Sequence, residues 1–260
     1  MKAPELYAKA RDGVRIAYRD EGPRDRPAVL LCTMGGGSSM GVWESLVGPL
    51  SVQWRVIRHD RRGDGESDPG VPESHSFSTY VADALAVLDA LALDQAVICG
   101  MAFGARVALH LARDAPERAS GLILFDATGG PPAPEAERRA GQIEARRLRA
   151  EAGLAEPKRD RAWFERRDPA GAGLSRNAFR DLPPWTPGLA AITAPSLIAC
   201  GEQDPNLEGA RRLAREIPDA RFASMPMCGH ASILERPDLV LDLVRGFLEA
   251  DSSDRKARRR

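Results

Sequence analysis

The sequence predicts an α/β fold: a mostly parallel, eight-stranded sheet flanked by helices. Two observations carry this prediction. Short β-branched or apolar runs alternate with longer segments of helical period through the front half of the chain, and the alternation resumes near the end. At residues 98–112, "ICGMAFGARVALHLA", a β-branched run meets a Gly-x-Ala-x-Gly turn that opens directly into a helix. With 260 residues and 43% apolar content the chain can bury the core of one domain.

The elements follow in order. "ELYAKA" and "VRIAYRD", separated by Asp12 and Gly13, read as an opening hairpin. "AVLLCT" is a buried third strand, "SMGVWESLVGPL" a short helix and "WRVIRHD" the fourth strand. Ser78 is placed to N-cap "TYVADALAVLDAL", whose Val81, Leu85, Leu88 and Leu91 share one face and should cover the sheet. "QAVICG" and "GLILFD" are the fifth and sixth strands, flanking a helix, "FGARVALHLARDA", that Pro116 ends.

After Asp126 the rhythm stops. From Gly129 to about Pro187 the chain is rich in proline, arginine and alanine, with "GQIEARRLRAEAG" as its best helix and Trp163, Phe164, Phe179 and Trp185 as its few apolar anchors. So long an insertion between two strands reads as a lid over a site. Regularity returns with the strand of "PSLIACGEQDP", the helix "NLEGARRLAREI", the strand "RFASMPM" and a last helix, "RPDLVLDLVRGFLEA", with Pro237 at its first position. Residues 1–127 and 188–250 are thus expected to form the core, 128–187 a helical lid and 251–260 a disordered basic tail.

Lysine plus arginine and aspartate plus glutamate balance at 37 each, so no net field selects nucleic acid or an acidic membrane surface. The expected partner is a small-molecule substrate, and the oligomeric state stays open. The first residues lack the apolar core of a signal peptide, and no stretch reaches the roughly 18 uncharged apolar residues of a membrane span. The expected location is cytoplasmic. Cys32, Cys99, Cys200 and Cys228 are widely spaced with no C-x-x-C pair, which favours small buried thiols over a zinc or redox site. No metal or cofactor is expected.

In an open parallel sheet, ligands bind beyond the carboxyl ends of the strands. Polar groups cluster there after the third strand ("TMGGGSS"), the fourth ("HDRRGDGESD"), the fifth (the Ala102 turn), the seventh ("GEQDP") and the eighth ("CGHAS"). These segments, in this order, resemble the α/β-hydrolase superfamily over nearly the whole chain, with small esterases and enol-lactonases as the nearest branch. The strand-turn-helix around Gly100, Ala102 and Gly104 is the context of that family's nucleophile elbow. The resemblance implies Asp204 as the acid, His230 as the base, and the backbone N–H groups of Phe103 and Gly35 as oxyanion donors. It also implies a structural role for "DRRGDGESD". Thr33, Met34, Trp163 and Trp185 are expected to contact the substrate, and Asp126 is a second candidate acid. His59 and His110 are read as structural, His75 likewise, and Arg166 and Arg167 as a solvated face or a site for an anionic substrate.

At the elbow a serine is expected, and Ala102 stands there. A methyl group cannot attack a carbonyl, so acyl-enzyme catalysis through residue 102 is excluded. Three readings remain. One is a serine-to-alanine replacement that traps substrate in a serine hydrolase, against which stands Thr33-Met34 where many relatives carry His-Gly. Another is an enzyme in which His230 and Asp204 act through water, or as a proton-transfer base, on a small ester, lactone or C–C bond substrate. The third is a silent binding or scaffolding protein on a hydrolase fold. Cys32, Thr33, Ser38 and Ser39 lie near the oxyanion loop but not in an elbow, Cys99 should face the core, and Cys228 precedes His230 by two positions.

Overall fold

The computed structural model describes residues 6–180 and 182–258, with side chains as far as residue 250. Eight strands form one sheet: β1 (Leu6–Lys9), β2 (Arg15–Glu21), β3 (Ala28–Cys32), β4 (Arg55–His59), β5 (Ala96–Met101), β6 (Ala119–Phe125), β7 (Ser196–Gly201) and β8 (Ala220–Met225). Their order is β1-β2-β4-β3-β5-β6-β7-β8. β2 runs antiparallel to both β1 and β4, and from β4 to β8 all pairs are parallel. The sheet is therefore the one the sequence pattern predicts.

Seven α-helices accompany it among the described residues: α1 (Glu44–Ser51), α2 (Phe77–Ala90), α3 (Phe103–Asp114), α4 (Glu135–Glu151), α5 (Leu207–Glu216), α6 (Ser232–Glu235) and α7 (Pro237–Arg258). The period of two along each central strand divides the core into two layers. Leu30, Ile98, Leu122, Leu124 and Ile198 face α2, α3 and α5, where Val87, Leu88, Leu109 and Leu213 meet them. Leu31, Val97, Ile123, Phe125 and Leu197 face α1 and α7, against Leu46, Leu50, Val244 and Phe247. Both faces are covered, so the strands carry continuous apolar runs.

Three boundaries differ from expectation. The N-cap of α2 is Ser76, in extended conformation, whose Oγ accepts Thr79 N–H at 3.2 Å; Ser78 lies inside the first turn. α4 starts six residues before "GQIEARRLRAEAG", because Glu135 and Glu137 suit a helix N-terminus. α7 continues to Arg258, over most of the stretch read as a disordered tail, since "DSSDRKAR" contains no Gly or Pro to stop it. Residues 259–260 lie outside the described residues, as do residues 1–5, the last of which, Glu5, opens the expected first strand. No helix among the described residues is long and apolar enough to cross a membrane.

Between β6 and β7 the insertion holds α4 and short 3₁₀ turns at Arg161–Phe164, Pro169–Gly171, Leu174–Phe179 and Leu189–Ala191. It lies on the loops at the strand ends. Ser39 N–H donates to Trp163 O at 2.7 Å, Arg167 N–H to Gly65 O at 2.7 Å, and Arg166 pairs with Asp64 at 3.1 Å.

Candidate active site

The turn after β5 sets the centre of the site. Ala102 has φ 51° and ψ −108°, a backbone conformation that an L-residue adopts only at a cost. The two flanking glycines make it sterically accessible. A Cβ on Gly100 would lie 2.3 Å from Gly104 O, and one on Gly104 would lie 2.1 Å from Cys32 O. Ala102 N–H donates to Phe125 O at 2.9 Å, which ties the elbow to β6. Its methyl is half-buried and packs against the α1 and α7 layer of the core.

Phe103 is the first residue of α3, so no residue of the helix accepts its N–H. A Cβ on Gly35 would sit 3.4 Å from Phe103 Cβ, which places the "TMGGG" loop beside the elbow. Ser38 Oγ holds that loop by donating to Met34 O at 2.9 Å or Gly35 O at 3.1 Å. The arrangement suits two backbone amides converging on one oxygen.

His230 Nδ1 and Asp204 Oδ2 are 2.9 Å apart, with both side chains buried. Burial works against the imidazolium, yet the hydrogen bond and charge of Asp204 outweigh it and lift the His230 pKa above the ordinary 6.5. That bond fixes the proton on Nδ1 and leaves Nε2 as the basic atom. Asp126, the second candidate acid, does not pair with His230. Its Oδ2 accepts Ala231 N–H at 3.0 Å and Ser232 N–H at 2.7 Å, so it braces the histidine loop instead. Burial and the neighbouring Asp204 carboxylate push its pKa up to about 7. The same loop touches the elbow strand: Ser232 Oγ and Ile233 N–H donate to Met101 Sδ at 3.5 and 3.4 Å. Backbone strain concentrates here, since Ala102, Asp126 and Ala231 are three of the five non-glycine residues with positive φ among the described residues.

Several supporting residues carried no signal in the sequence reading. Asn206 N–H donates to Asp204 Oδ1 at 2.9 Å, and its side chain donates to Asp126 O at 3.3 Å. Gln142 donates to His230 O, and Arg138 Nη1 lies 3.5 Å from His230 Nε2. Arg138 and Gln142 are four apart on α4, the spacing that puts two side chains on one helix face. Glu235 accepts Gly229 N–H at 3.0 Å and Arg149 at 2.9 Å, buttressing the loop from behind.

The other expected contacts divide. Met34 and Trp163 are half-buried against the same core layer as Ala102. Thr33 is fully buried and its Oγ1 donates to His59 O at 2.6 Å, tying β3 to β4. Trp185 is placed elsewhere, where its Nε1 donates to Glu216 at 2.6 Å and Arg212 stacks over its ring at 3.8 Å. It anchors the insertion to α5. Phe179, expected only as an apolar anchor, packs edge-on against Phe103 with centroids 5.4 Å apart.

"DRRGDGESD" is a structural turn. Asp60 accepts the N–H groups of Met40 and Glu66, Ser67 Oγ donates to Asp60 O, and Arg62 reaches Asp83 and Asp12 at 2.7 Å each. His59 is buried and His110 half-buried, and desolvation lowers both pKa values to about 4, so both stay neutral. His75 is held between Tyr80 OH at 2.6 Å and Pro69 O at 2.8 Å. All four cysteines are buried free thiols. Burial raises the Cys32 pKa to about 12 and lifts those of Cys99, Cys200 and Cys228 well above the ordinary thiol value, which removes them as nucleophiles.

Asp126, Cys200 and Asp204 bring one potential metal-ligand atom each within 4.8 Å of one another. Asp204 serves His230, Asn206 and the Cys200 thiol, and Asp126 Oδ2 serves two amides while its Oδ1 is buried without a hydrogen-bond partner.

Known proteins share this plan. Residues 28–243 match the model of the alpha/beta hydrolase family. The chain is 30% identical over 239 residues to the proposed carbamate hydrolase RutD of Variovorax paradoxus, covering 83% of this chain and 89% of that protein. It is 25% identical over 261 residues to 3-oxoadipate enol-lactonase 1 of Acinetobacter baylyi, with 92% and 95% covered. The crystal structure of the enol-lactonase from Burkholderia xenovorans superposes with a TM-score of 0.76 at 26% identity, over 94% of this chain and 100% of that one.

Proposed function

The chain belongs to the alpha/beta hydrolase family, and on that footing we propose that it hydrolyses a small ester, lactone or carbamate without a nucleophilic side chain. The carrying observation is that Asp204 and His230 remain hydrogen-bonded at 2.9 Å beside an elbow that keeps its strained backbone around an alanine. The relatives named for carbamate and enol-lactone hydrolysis support the substrate class.

In this reading the substrate carbonyl oxygen points at the N–H groups of Phe103 and Gly35. A water in the space left where a serine hydroxyl would stand gives one proton to His230 Nε2 as its oxygen adds to the carbonyl carbon. Asp204 stabilises the resulting imidazolium, and the two amides stabilise the oxyanion. Collapse of the tetrahedral intermediate breaks the bond to the leaving oxygen or nitrogen, which takes the proton back from His230. Serine hydrolases stripped of triad members retain roughly 10³- to 10⁴-fold catalysis over water from hole and binding alone, so a route of this kind starts from a real base. Residues 128–187 act as the lid, with Met34 and Trp163 bordering the substrate.

The apolar layer on which Met34, Trp163 and Ala102 each pack also suits a second reading, a binding protein with an apolar floor in place of a nucleophile. Mass spectrometry of the chain during turnover of an activated ester tests the mechanism. Hydrolysis with no covalent acyl adduct supports water attack, whereas an adduct on any side chain overturns it. An adduct is expected on the Ala102→Ser variant as the positive control.

A further inference from the structure

Arg138 projects from α4 of the insertion and sets its Nη1 3.5 Å from His230 Nε2. It forms no ion pair with an acidic side chain among the described residues, and its Nε is buried with no hydrogen-bond partner. A guanidinium keeps its charge at any working pH, and a buried N–H without an acceptor is costly. The neighbouring wall repeats the pattern. Arg61 stacks over the Phe103 ring at 4.3 Å, and Arg166 lies against Gly37 of the oxyanion loop. Both pair with the single carboxylate of Asp64, which leaves one positive charge uncompensated. Arg61 Nε and Nη1 and Arg166 Nε are likewise buried without acceptors.

Four guanidinium nitrogens on three arginines thus border the dyad, the oxyanion loop and Phe103 with nothing to donate to. The missing acceptors have the chemistry of anionic oxygens. The geometry points to a substrate that carries a carboxylate, received by Arg138 beside His230, while its scissile carbonyl lies toward the amides of Phe103 and Gly35. This inference deepens the hydrolase reading and rests on it for the word substrate.

Arg138 gains a second role from its position. In the free protein its N–H groups point at Nε2, the atom that must accept the proton from water. A bound carboxylate draws those donors to itself and frees Nε2. An uncharged ester of the same size leaves Arg138 on the base. Arg138 is therefore a positioning and specificity residue, with Arg61 and Arg166 adding to the attractive field.

The test is binding of succinate to the full chain at low ionic strength, with dimethyl succinate as the uncharged control. Calorimetry gives the affinity, and the side-chain ¹⁵N signal of His230 reports the site. Succinate is expected to bind and shift that signal, and dimethyl succinate to do neither. Arg138→Gln is expected to weaken succinate by about ten-fold or more, the equivalent of one charge-assisted hydrogen bond, with Arg138→Lys in between. Absence of succinate binding, an unmoved His230 signal, or equal affinity in Arg138→Gln overturns the proposal; should the glutamine variant not fold, equal affinity in Arg138→Lys does so. Because binding needs no turnover, a chain that hydrolyses nothing can still pass this test. A chain that hydrolyses neutral and carboxylated esters equally well refutes the carboxylate site and leaves the hydrolase reading standing.

Discussion

Asp126 Oδ2 accepts the Ser232 backbone N–H at 2.7 Å, and with it that of Ala231, so the end of β6 fixes the loop that carries His230. Removing the carboxylate strands two buried amides. Asp126→Ala is expected to cost about 2–4 kcal/mol in chemical denaturation and to lower turnover by displacing His230. Asp126→Asn keeps an acceptor and is expected to lose less on both counts.

The elbow stores strain that its present side chain does not need. With φ at 51° and ψ at −108°, Ala102 stands where glycine is at ease. Relief of strain worth ~1–3 kcal/mol, less the added flexibility of the unfolded chain, leaves Ala102→Gly about 1 kcal/mol more stable than the parent. Ala102→Val is expected to be less stable than the parent, and denaturant midpoints of the three proteins decide the order.

The pH dependence of turnover follows from the sign of the His230 shift. The base works only when neutral, and its pKa lies above 6.5 because Asp204 outweighs burial; Asp126 adds to the raise and Arg138 opposes it. The rate is expected to climb with pH through an apparent pKa higher than 6.5. Asp204→Asn removes the largest raising influence, so its limb is expected to move to lower pH while the maximum rate falls.

Arg62 and Asp83 form a buried bidentate pair, each 1% exposed, with both contacts at 2.7 Å. Asp83→Ala leaves a buried guanidinium with only Asp12 and Ser74 beside it. The expected loss is about 3–5 kcal/mol of stability, with catalysis by the folded fraction little changed, since the pair does not touch the elbow or the dyad.

Much of this was legible in the sequence because chain geometry writes it there. Alternating apolar runs such as "GLILFD" place Leu122 and Leu124 on one face of the sheet and Ile123 and Phe125 on the other. Gly100 and Gly104 are demanded by backbone contacts within a few residues of the elbow, so a short motif records them. The pairing of His230 with Asp204 was implied by the resemblance to the α/β-hydrolase superfamily, and the two side chains meet at 2.9 Å. What escaped was set by tertiary contact. Nothing local distinguishes Trp185, which stacks on Arg212, from Trp163, whose carbonyl accepts Ser39 N–H beside the oxyanion loop. Arg138 is one arginine among many on α4, and only the docking of that helix brings it to His230. Ser76 capped α2 in place of Ser78 because two serines two residues apart offer the same local chemistry.

In the proposed route His230 drives hydrolysis past an alanine. Turnover of activated esters and lactones by the native chain, measured beside His230→Ala and Ala102→Ser, decides whether it does. Hydrolysis by the native chain is expected, falling by at least about 100-fold in His230→Ala, the scale of a lost general base. A native chain that is silent while Ala102→Ser turns over would contradict it, and would leave a hydrolase whose machinery is complete except for its nucleophile.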